Sequence, residues 1–294
     1  MAERNPTASR QDTVPVGPTM SIFDPVYLGI DEAGLPVYVP MIYRNMLVGG
    51  EPGAGKSSLL SLIVAHAALS LDCRLCLLDG KQVELGLWRD VADVFVGPDL
   101  DHAIRTLRRL QTVMDKRYTF LLDQERRKII KGDGMSAILL FVDEIAYFSA
   151  TVGDKTTRET FSALLRDIVA RGRAVGIIVI GATQRPTADI IPTSLRDIFA
   201  WRFAGRCTTD ISSDVILGYG WASRGYSAAS IAPTEQGIGW LIAEAGLPRR
   251  IKVAYLADGD IIRLAAYARD IRRPGHLQAD TNPPAEAPPA LRVA

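Results

Sequence analysis

An α/β fold, with a mostly parallel sheet and helices on both of its faces, is predicted by three features of this 294-residue sequence. Short apolar runs alternate with helical patterns along the chain, which is typical of such sheets. A glycine-rich segment ending in Lys56-Ser57 lies between an apolar run and a helical pattern. The run Ile138–Val142 has no polar alternation and indicates a strand buried on both faces.

The folded body is expected over residues 21–273, between a disordered arm (1–20) and a disordered Pro/Ala-rich tail (274–294). Residues 28–39 predict a small N-terminal hairpin that turns at Ala33-Gly34. The elements expected after the hairpin are the strand before the glycine-rich segment, the helix after it, strands near 75–78 and 94–96, a long helical stretch over 99–131, the strand ending at 142, a helix near 158–173, strands near 177–182 and 201–206, two C-terminal edge strands near 238–242 and 251–256, and a closing helix near 260–272.

The segment Gly50–Ser57 has the spacing of a phosphate-binding loop. Glycine at positions 50, 53 and 55 lets the backbone curl so that successive N–H groups point at phosphate oxygens. Lys56 can reach the β- and γ-phosphates, and Ser57 can bind Mg²⁺. The predicted nucleotide contacts are Gly50, Glu51, Pro52, Gly53, Ala54, Gly55, Lys56, Ser57 and Ser58. The strand–loop–helix setting favours ATP and Mg²⁺ binding over a glycine-rich turn with an accidental Lys-Ser pair.

Two acidic residues, Asp143 and Glu144, follow the buried strand. Ligands of open α/β sheets collect outside the carboxyl ends of the strands, so we expect both acids near Lys56. Asp143 is predicted to orient Mg²⁺ and its waters, and Glu144 to act as the general base on the attacking water. A surface acid that caps a helix is the alternative for Glu144.

Composition limits the choice of partners and compartment. The 34 basic and 33 acidic residues give a net charge of +1, so any DNA contact must be local. Three cysteines do not suit a disulfide scaffold and favour a reduced, cytoplasmic protein. Cys73 and Cys76 are three apart on a predicted strand, which indicates core thiols on opposite faces rather than a metal or redox pair. No stretch approaches the roughly 18 apolar residues of a membrane span.

The order of the motifs resembles the motor domain of the FtsK/SpoIIIE family of DNA translocases over roughly residues 26–245. Besides the phosphate loop and Asp143-Glu144, the segments that carry the resemblance are Leu28–Asp31, Asp79-Gly80-Lys81 with Glu84-Leu85, Met114–Tyr118, Thr151-Val152-Gly153, Arg173–Gly176 and Ala182–Pro186. The resemblance implies a RecA-like P-loop NTPase that hydrolyses ATP and assembles as a ring, expected to be a hexamer, around double-stranded DNA. It also implies that Gln184 senses the γ-phosphate, with a turn-stabilising amide as the alternative.

The sequence departs from the family in two respects. Chromosome-segregating members carry membrane spans before the motor and a winged-helix module after it, and neither is expected from this sequence. The short architecture looks more like the Tra-type transfer proteins of actinomycete plasmids and integrative elements. Asp214 stands where the family supplies an arginine to the neighbouring subunit's nucleotide. Because a ring ATPase needs a cation at the transition state, Arg206 is predicted to substitute, with Arg202 and Arg185 as alternatives.

Local basic residues are candidates for DNA contact, since ring symmetry would multiply a few cations per subunit. Lys155, Arg158 and Arg196 are the residues expected at a central channel. The dense run Glu125–Lys128, with Lys131, is open to DNA contact and to a solvated helix end alike.

An ATP-dependent double-stranded DNA translocase that drives transfer of a plasmid or integrative element is the function these observations favour. The alternatives are chromosome segregation at cell division, an ATPase of a specialised secretion system, and a non-hydrolysing ATP-binding assembly module. A cytoplasmic location is expected, with recruitment to a membrane-associated transfer or division complex as an option.

Overall fold

The computed structural model describes residues 20–244 and 246–272, whose strands form one ten-stranded sheet. The strands are β1 (Val26–Asp31), β2 (Pro36–Val39), β3 (Met46–Gly49), β4 (Cys73–Leu78), β5 (Val94–Val96), β6 (Ala137–Val142), β7 (Ile177–Thr183), β8 (Trp201–Gly205), β9 (Ile238–Ala243) and β10 (Arg249–Val253). The helices are α1 (Lys56–Leu69), α2 (Leu100–Asp123), α3 (Lys155–Arg171), α4 (Thr193–Arg196), α5 (Asp210–Leu217) and α6 (Asp258–Ile271). The predicted arm and tail lie outside the described residues, except Met20, which forms a parallel bridge with Ser70.

The sheet combines a parallel part with an antiparallel part, in the order β2-β1-β10-β9-β8-β3-β7-β6-β4-β5. Neighbouring strands from β8 to β5 are parallel. Those from β2 to β8 are antiparallel. The predicted α/β fold with a mostly parallel sheet and an N-terminal hairpin is confirmed.

Both faces of the sheet are covered, and the sides of β6 show this directly. Leu139 and Phe141 pack in one cluster with residues of α1 and α6. Leu140 and Val142 pack in the other cluster with residues of α2 and α3. All six residues of β6 are buried, which accounts for the apolar run without alternation.

The predicted edge position of the two C-terminal strands is wrong, although both strands form. β9 pairs with β8, and β10 pairs with both β9 and β1. They therefore lie inside the sheet and join its parallel part to the hairpin β1–β2, and the edges are β2 and β5. An apolar pattern marks a strand but does not specify its neighbours, and here the free edge of the hairpin is paired by β10.

The long helical stretch also ends earlier than expected. α2 stops at Asp123, and Glu125 has a positive φ of 51°, so the basic run after it is outside the helix. Arg117, in the Met114–Tyr118 motif, is 8% exposed and donates to the carbonyls of Val175 and Ser136, both at 2.7 Å. This part of the motif holds α2 against the starts of β6 and β7.

The thiols of β4 lie on opposite faces of the sheet, as their spacing predicts. Cys73 belongs to the cluster around α1, and Cys76 to the cluster around α2. Burial raises the pKa of Cys73 to about 12 and raises that of Cys76 further, so both stay neutral and unreactive. Within 20–244 and 246–272, none of the helices is both long enough and apolar enough to span a bilayer.

Candidate nucleotide-binding site

The loop between β3 and α1 has the backbone of a phosphate-binding loop. Gly50, Gly53 and Gly55 have φ values of 144°, 78° and 92°, which side chains other than hydrogen disfavour. A Cβ on Gly55 would lie only 2.7 Å from the Cα of Gly237. Glycine at position 55 is therefore required both by the curl of the loop and by the close approach of the turn before β9.

Lys56 begins α1, and its ammonium group is turned toward the loop. It is 6% exposed, and Nζ donates to the carbonyls of Gly50 at 2.6 Å and Glu51 at 2.7 Å. Burial lowers its pKa to about 8, although the charges of Glu144 and Glu84 act in the opposite direction. A phosphate anion at the loop would offset this desolvation, which is the usual role of a P-loop lysine.

Asp143 follows β6 and lies beside a second carboxylate, that of Asp79. It is 5% exposed, and burial together with the charge of Asp79 holds its pKa well above the usual range. The N–H of Gly80 donates to Oδ1 of Asp143 at 3.2 Å. Asp79 in turn accepts hydrogen bonds from the N–H groups of Lys81, Gln82 and Leu85. The segment after β4 is thereby folded against the acidic end of β6.

The oxygen atoms of Asp143 and Ser57 are ligands of the kind that suit a magnesium ion. Two adjacent buried carboxylates are stabilised by a nearby cation, and the Ser57 hydroxyl is exposed in the first turn of α1. In the part of the chain that the structure describes, no group of three or more His, Cys, Asp or Glu could hold a metal alone. Ser57 and Asp143 would therefore hold Mg²⁺ together with phosphate oxygens and water, as this ion prefers.

Glu144 is buried and attached to the next strand. It is 7% exposed; its Oε1 accepts from the Thr183 hydroxyl at 2.8 Å and its Oε2 from the Gln184 N–H at 2.8 Å. The N–H of Ala146 also donates to Oε1, at 3.2 Å. The alternative of a surface acid at a helix end does not fit this burial. Because β7 pairs with β6, the predicted base and the predicted sensor Gln184 are joined directly.

The sheet order leaves space between Lys56 and Glu144. β7 lies between β3 and β6, so the two acids are about two strand spacings, or roughly 10 Å, from the phosphate loop. That gap is suited to a γ-phosphate and an attacking water molecule.

A cavity of about 410 Å³ opens at the loop. The predicted contacts that line it are Pro52, Gly53, Gly55, Lys56, Ser57, Ser58 and Gln184. Gly50 and Glu51 act instead through the carbonyls that hold Lys56, and Ala54 is buried at 3% exposure. The lining residues that sequence reasoning did not assign are Glu84, Gln236, Gly237, Lys252, Val253 and Tyr255.

Some of the residues that sequence reasoning missed had a recognisable sequence signal, and others had none. Asp79 and Glu84 lie in a segment that carries the family resemblance, so a role in the site could have been predicted for them. Thr183 lies directly before Gln184 and could have been considered with it. Lys252 and Tyr255 carry no local signal, because only the pairing of β10 inside the sheet brings them to the loop.

Arg206 and Asp214 lie on the side of β8. The Arg206 guanidinium is 2.5 Å from Oε2 of Glu51, in the phosphate loop of its own chain. Contact of Arg206 with the nucleotide of a neighbouring subunit stays a prediction. Asp214 accepts hydrogen bonds from the N–H groups of Gly220 and Ala222 at 2.8 and 2.9 Å, so it organises the loop after α5.

The residues expected at a central channel differ in availability. Lys155 begins α3 and is exposed, with Glu159 3.8 Å from its Nζ, and Arg158 donates to the Gly153 carbonyl. Arg196 is 5% exposed and is bonded to Asp197, so it is not presented to a DNA backbone.

The basic run after α2 makes contacts within the chain. Arg126 pairs with Asp133, and Lys128 lies 4.7 Å from the centre of the Tyr43 ring. Lys131 lies 3.9 Å from Asp24. These contacts within the chain argue against DNA contact for this run, and the run follows α2 rather than forming its end.

The sheet order and the loop between β3 and α1 are those of a P-loop nucleotide-binding fold. The FtsK/SpoIIIE family model matches residues 1–137, so this part of the chain is similar to that family. It is 27% identical over 274 residues to the DNA translocase FtsK of Treponema pallidum, covering 87% of this chain and 33% of that protein. It is 26% identical over 291 residues to FtsK of Haemophilus influenzae, covering 86% and 53%. The chain thus spans about a third to a half of these relatives.

Solved structures share the fold. The pCW3 conjugation coupling protein TcpA, in its monomer form with ATPγS, superposes with a TM-score of 0.72 at 20% identity, over 85% of this chain and 71% of TcpA. The type VII secretion ATPase EccC of Thermomonospora curvata gives a TM-score of 0.64 at 20% identity, over 86% of this chain and 32% of EccC. EssC of Geobacillus thermodenitrificans gives 0.70 at 12% identity, over 95% and 53%.

Proposed function

We propose that the protein is an ATP-driven motor that moves double-stranded DNA, in the transfer of a plasmid or integrative element between cells. The observation that carries the proposal is the buried Glu144 carboxylate, which Thr183 and Gln184 hold at the end of β6, two strands away from the strand β3 that leads into the phosphate loop. Kinship with the FtsK/SpoIIIE family supports duplex DNA as the polymer.

In the proposed reaction Lys56 binds the β- and γ-phosphates, and Glu144 takes a proton from the water that attacks the γ-phosphorus. The Gln184 side chain lines the same cavity and contacts the γ-phosphate, so its position depends on the state of the nucleotide. Ser57 and Asp143 would hold Mg²⁺, which would neutralise part of the phosphate charge.

Arg206 is proposed as the further cation at the transition state. Its guanidinium pairs with Glu51 of the phosphate loop and would have to leave that carboxylate to contact a phosphate. Replacement of Arg206 by Ala is expected to lower the hydrolysis rate while nucleotide affinity changes little.

DNA contact is proposed for Lys155 and Arg158, at the start of α3, in a homo-oligomeric ring expected to be a hexamer. A ring repeats these cations around the central axis, which lets a nearly neutral chain bind the phosphate backbone. Contacts to the phosphate backbone do not depend on the base sequence, so DNA of any sequence should stimulate the motor.

The test is steady-state ATP hydrolysis with and without long double-stranded DNA, at two salt concentrations. Wild-type protein should show DNA stimulation that falls as salt rises. Glu144→Gln should keep ATP binding and lose at least about a hundredfold in rate, because a general base contributes on that order. Lys56→Ala should lose binding as well. Glu32→Gln, an exposed carboxylate elsewhere, is the matched control.

The outcomes separate the alternatives. Hydrolysis that survives both Lys56→Ala and Glu144→Gln contradicts the assigned site. A hydrolysis rate that DNA does not change contradicts the proposed DNA translocase and favours the ATPase of a secretion system. ATP binding without turnover favours an assembly module. DNA stimulation leaves transfer and chromosome segregation to be separated by the phenotype of a deletion in the host.

A further inference from the structure

We infer that the nucleoside of the bound nucleotide lies in a second cleft beside the phosphate loop, with its base stacked on Tyr255. This inference rests on the proposed nucleotide binding and adds the part of the site that recognises the base.

The second cleft is continuous with the first. Its volume is about 450 Å³, and it shares Ser57, Ser58, Glu84 and Tyr255 with the cavity at the loop. It then runs along α1 past Ser61, one helical turn beyond Ser57. A ligand with its phosphates at the loop can therefore extend past the first turn of α1 into this cleft.

The walls of the second cleft suit a flat apolar group. Tyr255, in the connection from β10 to α6, is 75% exposed. Val83 and Leu87, in the connection from β4 to β5, also line the cleft and are 71% and 39% exposed. Large apolar side chains exposed together at a cleft mark a binding surface, and an aromatic ring with aliphatic neighbours is the usual setting for a base.

The two cavities have different linings, and this difference indicates which way the nucleotide is oriented. Lys56 and Gln184 line only the first cavity, whereas Val83 and Leu87 line only the second. The phosphates therefore lie at Lys56, and the base lies toward Tyr255. The cation of Lys252 lines the first cavity beside Tyr255, on the phosphate side.

Stacking on an aromatic ring is tolerant of base identity and stronger for larger π-surfaces. The inferred site thus discriminates a nucleotide from a bare polyphosphate, and purine from pyrimidine nucleotides more weakly. Removal of one stacking ring costs about five- to hundredfold in affinity.

The experiment compares calorimetric affinities for ATP and for inorganic tripolyphosphate, each with Mg²⁺, on the full chain. Tyr255→Ala should weaken ATP binding by about tenfold and leave tripolyphosphate binding unchanged, and Tyr255→Phe should bind ATP as wild type does. Tyr38→Ala removes another exposed tyrosine, at the sheet edge, and should change neither affinity. Val83→Ser should weaken ATP binding to a smaller extent.

The outcomes distinguish this inference from the proposed function. Unchanged ATP affinity in Tyr255→Ala overturns the base site alone. Equal losses for ATP and tripolyphosphate overturn it too, because the ring would then act through the phosphate loop. Wild-type protein that binds neither ligand overturns the proposed function together with the base site.

Discussion

Removal of the Thr183 hydroxyl tests whether Glu144 must be held by its neighbour strand. Thr183 is fully buried; its Oγ1 donates to Glu144 at 2.8 Å and accepts from the Arg185 N–H at 3.0 Å. Thr183→Val keeps the shape and removes both hydrogen bonds of the hydroxyl, of which the one to the charged Glu144 is worth about 1.5–3 kcal/mol. If the full amount is lost at the transition state, kcat falls by about ten- to a hundredfold.

We expect the lower end of this range, because the N–H groups of Gln184 and Ala146 still hold the carboxylate. Steady-state hydrolysis should show the loss in kcat with KM little changed, since the phosphate loop is intact. Thr183→Ser should recover the wild-type rate, and Thr112→Val, at an exposed helical threonine, is the control. Thermal unfolding of each variant separates misfolding from mispositioning. A folded Thr183→Val protein with wild-type or higher kcat would refute a positioning role.

Three further predictions concern the loop, the segment after α5 and pH. Gly55→Ala should lose nucleotide affinity and at least about 1 kcal/mol of stability in urea, because its φ is 92° and Gly237 blocks the added methyl; unchanged affinity in calorimetry would contradict this. Asp214→Ala should cost about 2 kcal/mol in the same unfolding assay, since two backbone N–H groups lose a carboxylate partner; Asp214→Arg should be no more stable. Burial lowers the pKa of His66 in the folded protein, so the unfolded chain binds more protons. The stability that the neutral histidine contributes is present above about pH 6.5 and is lost as the pH falls below that value. If stability depends on pH in the same way in His66→Gln, the loss belongs to other groups.

The elements of the parallel part were predictable from the sequence because their signals are local. Apolar runs without alternation mark strands such as β6, and the glycines of the phosphate loop are required by positive φ angles that lie within the loop itself. Asp143 and Glu144 were predictable for the same reason, since they directly follow their strand and parallel strands end at a common edge.

The limits of prediction lie where distant segments meet. The end of α2 was placed too late because the apolar spacing continues past the point where Glu125 turns the chain. Arg196 was expected to be free for DNA, but it is buried, and its contact with the Tyr219 ring depends on the packing of α4 against the loop after α5.

The sequence by itself indicated the phosphate loop and the acidic pair, because each is encoded within a few neighbouring residues. The alternation of strand and helix patterns along the chain indicated the α/β class, and Gln184 was singled out by the resemblance of its motif. Only the tertiary structure decided that β9 and β10 lie inside the sheet, that Thr183 holds Glu144, that Arg206 pairs with Glu51, and that Tyr255 lines the cavity at the phosphate loop. The physical reason is that strand neighbours and long-range hydrogen bonds are set by how buried faces pack together, and that packing is a property of the whole chain.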